Sequence, residues 1–273
     1  MTWLSVEAKW SNGEPPGPVA PWREPPERDE PSLSVLTRQD VVVFVRFRLL
    51  VVLLAVDAAF VLFHLLHHGG VEPFADETRW LLDADHGYPE WFGYGKLAVA
   101  AVLLVLLARQ GPRLLYLAWA LVVVVVLIDD AGTVHERVGG DIASTLDLND
   151  GLGLRARDFG ELAVWAAAGT VLLVLLVVVH IGVVARERRR SAGIFACLLL
   201  LGLFGVVGDM LHMVLSGKAR QIAGGAEDGG ELVAISFLLV YVTWLLTNDG
   251  RSSRERRKSP SPSTPVAAVT ASG

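Results

Sequence analysis

The sequence predicts an all-α protein: a six-helix transmembrane bundle with both termini cytoplasmic and disordered tails. Three observations carry that expectation. The 273 residues are 52% hydrophobic and only 19% charged, less charge than a soluble domain of this length carries. Six apolar runs each approach the roughly 20 residues a helix needs to cross a hydrocarbon core about 30 Å thick. Arginines mark one end of these runs, while Asp, Glu and His gather at the other. The formal net charge of -5 conceals this segregation.

The chain divides into residues 1–41, an acidic Pro-rich tail; 42–247, the six-span domain; and 248–273, a basic and then Ser-Pro tail. The first tail (GEPPGPVAPWREPPERDEP) has too little apolar content to fold, and no cleavable signal peptide is expected. The block Arg254–Lys258 follows a span, so anionic lipid headgroups are its expected neighbours. Val, Ala, Leu and Gly dominate, and Arg far outnumbers Lys. That bias fits a high-GC bacterial coding background, and hence a multi-pass protein of the bacterial inner membrane with the lipid bilayer as partner. The single cysteine, Cys197, excludes an intrachain disulfide and a Cys-based metal site. Neither a phosphate-cradling Gly loop nor a nucleophile elbow is present, which argues against nucleic acid as a partner and against a soluble enzyme.

The first span, Leu49–His68, follows Arg46 and Arg48 and carries Asp57 near its middle. Proton transfer and pairing with a neighbouring helix are both open for that acid. The second, Trp91–Ala108, is interrupted by Lys96, whose ammonium is expected to snorkel to the interface beside Trp91, Phe92 and Tyr94. The breakers in Arg109-Gln-Gly-Pro-Arg113 join it to the third, Leu114–Thr133, as a helical hairpin. The fourth, Gly160–Ala185, contains His180, read as incidental. Arg186, Arg188, Arg189 and Arg190 precede the fifth, Ala192–Leu215, and the sixth is Glu231–Leu246. The positive-inside rule puts all these arginines on the cytoplasmic side. The alternate loops are acidic or mixed, with Glu72, Asp76, Glu77, Asp83, Asp85 and Glu90, then Asp141, Asp147 and Asp150. No internal repeat is evident, so an inverted-repeat transporter gains no support.

Polar residues cluster where the spans reach the acidic side. Span one ends His64-Leu-Leu-His67-His68, and span three ends Asp129-Asp130-Ala-Gly-Thr-Val-His135-Glu136. Span four begins Asp158-Phe-Gly-Glu161, span five carries Asp209-Met-Leu-His212, and Glu227-Asp228-Gly-Gly-Glu231 opens span six. An ionised acid within hydrocarbon costs about 2.5–3.5 kcal/mol at mid-helix, so Asp129, Asp130 and Asp209 are expected to face the bundle. At about 100° per residue Asp129 and Glu136 fall within about 20° of one face, and Asp209 and His212 about 60° apart. Glu227 and Glu231 lie about 40° apart if the last helix starts early. Carboxylates and imidazoles at such spacings on facing helices are how bundles build metal sites.

The expected metal ligands are therefore Asp129, Asp130, His135, Glu136, Asp209, His212, Glu227 and Glu231, holding a divalent Fe, Mn or Zn rather than Ca. Structural readings stand beside each. Asp129 and Asp130 suit a solvated helix end, and His135-Glu136 suit interfacial anchors. Asp158 and Glu161 favour the positive start of span four and have Arg155 and Arg157 to pair with. Asp228 and Glu231 share that helix-start explanation, and the three histidines of span one suit the interface. The loop Asp147-Leu-Asn-Asp150-Gly151 has its Gly at the wrong offset for a calcium loop.

The run Asp129-Asp130-x4-His135-Glu136, then Asp209-x2-His212 and Glu227-Asp228-Gly-Gly-Glu231, resembles a group of multi-span bacterial membrane proteins without assigned activity. The resemblance spans about residues 45–247 and implies membrane location and a shared polar site. The intramembrane zinc hydrolases of the ceramidase and progestin-receptor-like kind pair two His on their last span, and Glu231–Leu246 has none. The functional expectation is a metal-dependent membrane hydrolase or oxidase. An ion- or proton-coupled transporter and a non-enzymatic membrane scaffold are the alternatives.

Overall fold

The computed structural model describes residues 33–71 and 78–258, with the side chains of 33–45, 212 and 249–258 outside the described set. In the unit Met1–Val41 the described backbone, from Leu33 on, is helical. The bundle belongs to the unit Val42–Gly273. Its helices are α1 (Leu33–His68), α2 (Tyr88–Leu107), α3 (Arg113–Gly132), α4 (Val134–Thr145), α5 (Ala156–His180), α6 (Ala185–Gly202), α7 (Asp209–Val214) and α8 (Gly217–Lys258). A π-helical stretch, Leu203–Gly208, links α6 to α7, and no strand occurs among the described residues. Six segments are long and apolar enough to cross a bilayer. The protein is therefore an all-α, multi-pass membrane protein.

Several boundaries have a local cause. Pro89 sits in the first turn of α2, where its missing N–H costs nothing, and Glu90 complements the helix dipole there. At the start of α5, Arg155 N donates to Asp158 Oδ2 at 2.7 Å and the Arg155 guanidinium holds Oδ1 at 2.7 Å. Asp150 Oδ1 accepts from Ala156 N at 2.8 Å, so that loop acid serves the helix start. Gly182 takes a left-handed φ of 80° and ends α5 at His180, before the Ala185 expected from hydropathy. Span five, expected to be one helix over Ala192–Leu215, is a continuous helical run from Ala185 to Val214 whose α-helical register changes at the π stretch. α1 begins ahead of span one, inside the stretch assigned to the tail, and α8 runs from Gly217 to Lys258, past both expected ends of span six.

Helices α6, α8, α2, α3 and α5 pack in that lateral order, each on the next, as an arc. Leu97, Leu104, Tyr116, Val123, Leu238 and Val242 fill its core. α4 lies on α5, where Gly139 and Gly160 touch backbone to backbone and leave no room for a Cβ. Arg46 Nη2 donates to Asn248 Oδ1 at 2.9 Å, which puts the start of span one beside the end of span six.

Two polar clusters hold the arc. Lys96 Nζ bonds Asp57 Oδ1 at 2.8 Å, the Leu232 carbonyl at 2.7 Å and Ser236 Oγ at 3.0 Å. Lys96 thus does not snorkel: its side chain is 2% exposed, because Asp57 and Ser236 offer its ammonium partners within the bundle. Of the two roles open to Asp57, pairing with a neighbouring helix is the one observed. Near the arginine end, Trp119 Nε1 donates to Ser191 Oγ at 2.7 Å, and His180 Nε2 lies 2.7 Å from the same oxygen. His180 is therefore part of the tie between α3, α5 and α6, and not incidental.

Candidate functional site

A chamber of about 670 Å³ opens between the two limbs of the arc at the acidic end. α3 brings Asp129 and Asp130 to it, α4 His135 and Glu136, α5 Glu161, and α2 Glu90. From the other limb come Asp209 on α7 and Glu227, Asp228 and Glu231 on α8. Seven of the eight residues expected from sequence thus line one space. The eighth, His212, has its backbone in α7 and its side chain outside the described residues.

The helix of span three does not continue through His135-Glu136. Thr133 adopts a left-handed conformation with φ 46°, its N–H returning to the carbonyls of Asp129 and Asp130. α4 begins at the next residue and packs mainly on α5. His135 N then donates to Asp129 Oδ1 at 2.9 Å, and His135 Nδ1 lies 2.8 Å from Asp129 Oδ2. The expected shared face of Asp129 and Glu136 is replaced by this turn. Glu136 reaches instead for Arg157, whose Nε also bonds Glu161 Oε1 at 2.7 Å.

The hydrogen bond that Asp129 accepts holds the His135 imidazole above its ordinary pKa, against the opposing effect of burial; the charges of Asp129, Glu161 and Glu136 add to the rise. The Asp158 carboxylate likewise holds the Arg155 guanidinium above its usual value. Asp158 and Glu161 thus keep Arg155 and Arg157 engaged at the rim, as the helix-start reading of those acids expects.

On the opposite limb the helix does start early, so Glu227 and Glu231 stand one turn apart on α8 with Asp228 beside them. The π stretch makes room for them. Glu231 lies against Gly205 so closely that a Cβ there would clash, and a Cβ on Gly208 would stand 3.1 Å from Glu227 Cγ. π turns interrupt helices often at functional positions. The charges weighing on Glu231 are Asp130, Asp228, Glu227 and Asp209, and those on Asp228 include Glu90 and Asp130. Like charges at this density call for a cation or shared protons. Among the described residues no three His, Cys, Asp or Glu side chains converge tightly enough to hold a metal ion as they stand.

Two chamber residues were not singled out by sequence. Glu90 accepts from His86 N at 2.7 Å and from Tyr94 Oη at 3.1 Å, and its one signal was its place on the acidic side. Trp165 stands with its ring 5.7 Å from that of His135, one more apolar residue in an apolar run. The histidines of span one lie elsewhere: His64 is buried 3.7 Å from Asp83, outside the chamber lining. Away from the carboxylates the chamber has an apolar part, a shaft lined by Leu97, Val122, Leu172 and Leu176 that reaches Trp119 along α3.

Residues 48–245 match the family model described as a domain of unknown function, DUF8692. The chain belongs to the DUF8692 family. The matched region contains every residue of the chamber and both polar clusters, and it leaves the two tails out. No curated protein and no solved structure matches the chain.

Proposed function

We propose that the chamber binds a divalent cation at the outer face of a bacterial inner membrane, and that the protein is a metal-dependent membrane enzyme of hydrolytic or oxidative type. The observation that carries this reading is the Asp129–His135 pair in a chamber whose acidic end gathers carboxylates from both limbs. Metal-bound imidazoles commonly have a carboxylate on their other nitrogen, which fixes the tautomer and ring orientation. With Nδ1 held by Asp129, Nε2 of His135 is the nitrogen left for an ion.

Asp130 and Glu231 would join it from facing limbs, with Asp209, Glu227 and Asp228 as further oxygen donors. Glu136 is committed to Arg157 and serves to hold α4 on α5. A mixed nitrogen and oxygen set suits manganese, iron or zinc better than calcium. Closure of the carboxylates on the ion is the rearrangement this reading requires. A bound ion supplies a Lewis acid or an activated water. The chain's own groups orient the imidazole, neutralise the ion and keep Arg155 and Arg157 at the rim.

Trp119, the chamber residue farthest from Asp130 along α3, is tied to Ser191, and this tie favours such a site over a through-channel. Detergent-purified protein, incubated with Mn²⁺, Fe²⁺ or Zn²⁺ and desalted, should retain one ion per chain by elemental mass spectrometry. His135→Ala and Glu231→Gln should lose it, and Asp141→Asn, on the exposed face of α4, should keep it. Absence of a stoichiometric ion with all three metals overturns the proposal.

A further inference from the structure

We propose that the apolar shaft holds one acyl chain of an outer-leaflet phospholipid, which enters sideways between α5 and α6. The depth fits. At about 1.5 Å per helical residue the cleft descends about 16 Å along α3 from Asp130 to Trp119, and about 22 Å along α5 from Glu161 to Leu176. One leaflet with its headgroups is about 20–22 Å, half of a bilayer about 40–45 Å thick. The volume of about 670 Å³ lies within the range of about 300–1,000 Å³ for small-molecule sites.

The walls are built for entry from the bilayer. α5 and α6 are tied near the arginine end, where His180 meets Ser191. Above that tie α5 leans on α3 and α4, while α6 leans on α8. Leu173 on α5 and Leu199 on α6 line the cleft and are still 53% and 61% exposed. Gly169 and Gly202, also on these two helices, line it too, and a Cβ on either meets nothing within 4 Å. Two missing side chains and two exposed leucines leave an apolar aperture at mid-membrane depth, where the only abundant apolar molecule is lipid.

At the mouth, a headgroup phosphate would meet the cation proposed above together with Arg155 and Arg157 on the rim. The headgroup's place rests on that cation; the acyl chain's does not.

The test uses the full chain in liposomes containing a phosphatidylethanolamine with a diazirine on its acyl chain. After irradiation, adducts are mapped by peptide mass spectrometry. Leu176 and Ile235 line the shaft and are 7% and 4% exposed, so lipid on the outside of the bundle does not reach them. Adducts are expected on both. Gly169→Leu with Gly202→Leu fills open space and raises helix propensity, so the fold is kept. In that variant the Leu176 and Ile235 adducts should fall about tenfold, the effect of about 1.4 kcal/mol. Adducts on lipid-facing Val99 and Val102 should persist. Repeating the experiment with chelator separates the two readings: labelling that survives metal removal supports the acyl site even if no ion binds. Adducts confined to Val99 and Val102, or unchanged in the double variant, overturn it.

Discussion

Lys96 Nζ and Asp57 Oδ1 stand 2.8 Å apart in the middle of the bundle, each almost completely buried. Asp57 Oδ2 accepts in turn from Ser236 Oγ at 2.6 Å, so the pair ties α1 to α2 and α8. The Lys96 ammonium also lies 4.6 Å from the centre of the Phe92 ring. Removing one member of a buried ion pair leaves an uncompensated charge and typically costs about 3–5 kcal/mol, whereas replacing both with apolar groups is often near neutral. Lys96→Met should therefore lower unfolding stability in detergent by about 3 kcal/mol or more. The double variant Asp57→Leu, Lys96→Met should recover most of that loss. Equal loss in the single and double variants would assign the pair a role beyond charge compensation.

That pair also marks the limit of what the sequence discloses. Hydropathy and charge run along the chain, so six spans and their arginine ends are legible without a fold. Arg155 with Asp158, and Arg157 with Glu161, are legible too, because a helix places residues three and four apart together. The partner of Lys96 is 39 positions away. Only packing decides whether its ammonium turns to Asp57 or climbs to the interface. Thr133 is a different failure: Gly132 beside it is the residue that ordinarily takes a left-handed turn, and nothing local marks Thr133 for that role. The gathering of acids was legible as a shared depth along separate spans, while their grouping on two limbs of a cleft was not.

The His135–Asp129 bond makes stability depend on pH. The imidazole is held above its ordinary pKa of about 6.5. A raised pKa stabilises the fold fully below the unfolded value, and the contribution is lost as pH rises through the folded value. The difference in melting temperature between wild type and His135→Gln should thus be larger at pH 5.5 than at pH 8.5. A thermal-shift series in one detergent checks this, and a difference that grows toward alkaline pH contradicts it.

Thr133 is β-branched and held at φ 46°, a conformation that costs such a residue of order 1–3 kcal/mol. Thr133→Gly removes that cost, set against the greater freedom of glycine in the unfolded chain. A net gain of about 1 kcal/mol in unfolding stability is expected. A loss would mean that the Thr133 side chain contributes more than its backbone costs.

Gly139 and Gly160 bring α4 flat onto α5, and this contact lets Arg157 reach Glu136 while His135 stays over Asp129. Gly160→Val has to push the two backbones apart, a change of the overpacking kind that costs about 1–3 kcal/mol. It should also free His135 from Asp129, returning the imidazole toward its ordinary pKa. Histidine NMR titration of the variant measures that directly, and an unchanged titration would show that α4 holds its place without the glycine contact.

Gly205 separates the proposed cation site from the proposed lipid site. A methyl group there occupies the space of the Glu231 carboxylate, so Gly205→Ala has to turn Glu231 away from its place in the chamber lining. The shaft below, walled by Leu172, Leu176 and Ile235, is untouched by that methyl. Divalent-ion affinity should fall about tenfold, equivalent to roughly 1.4 kcal/mol, while acyl-chain labelling of Leu176 remains. Loss of both together would mean that the π stretch has refolded, a change visible as a lower melting temperature. Retention of ion affinity would remove Glu231 from the ligand set and leave Asp130 and His135 to hold the ion with the remaining α8 acids.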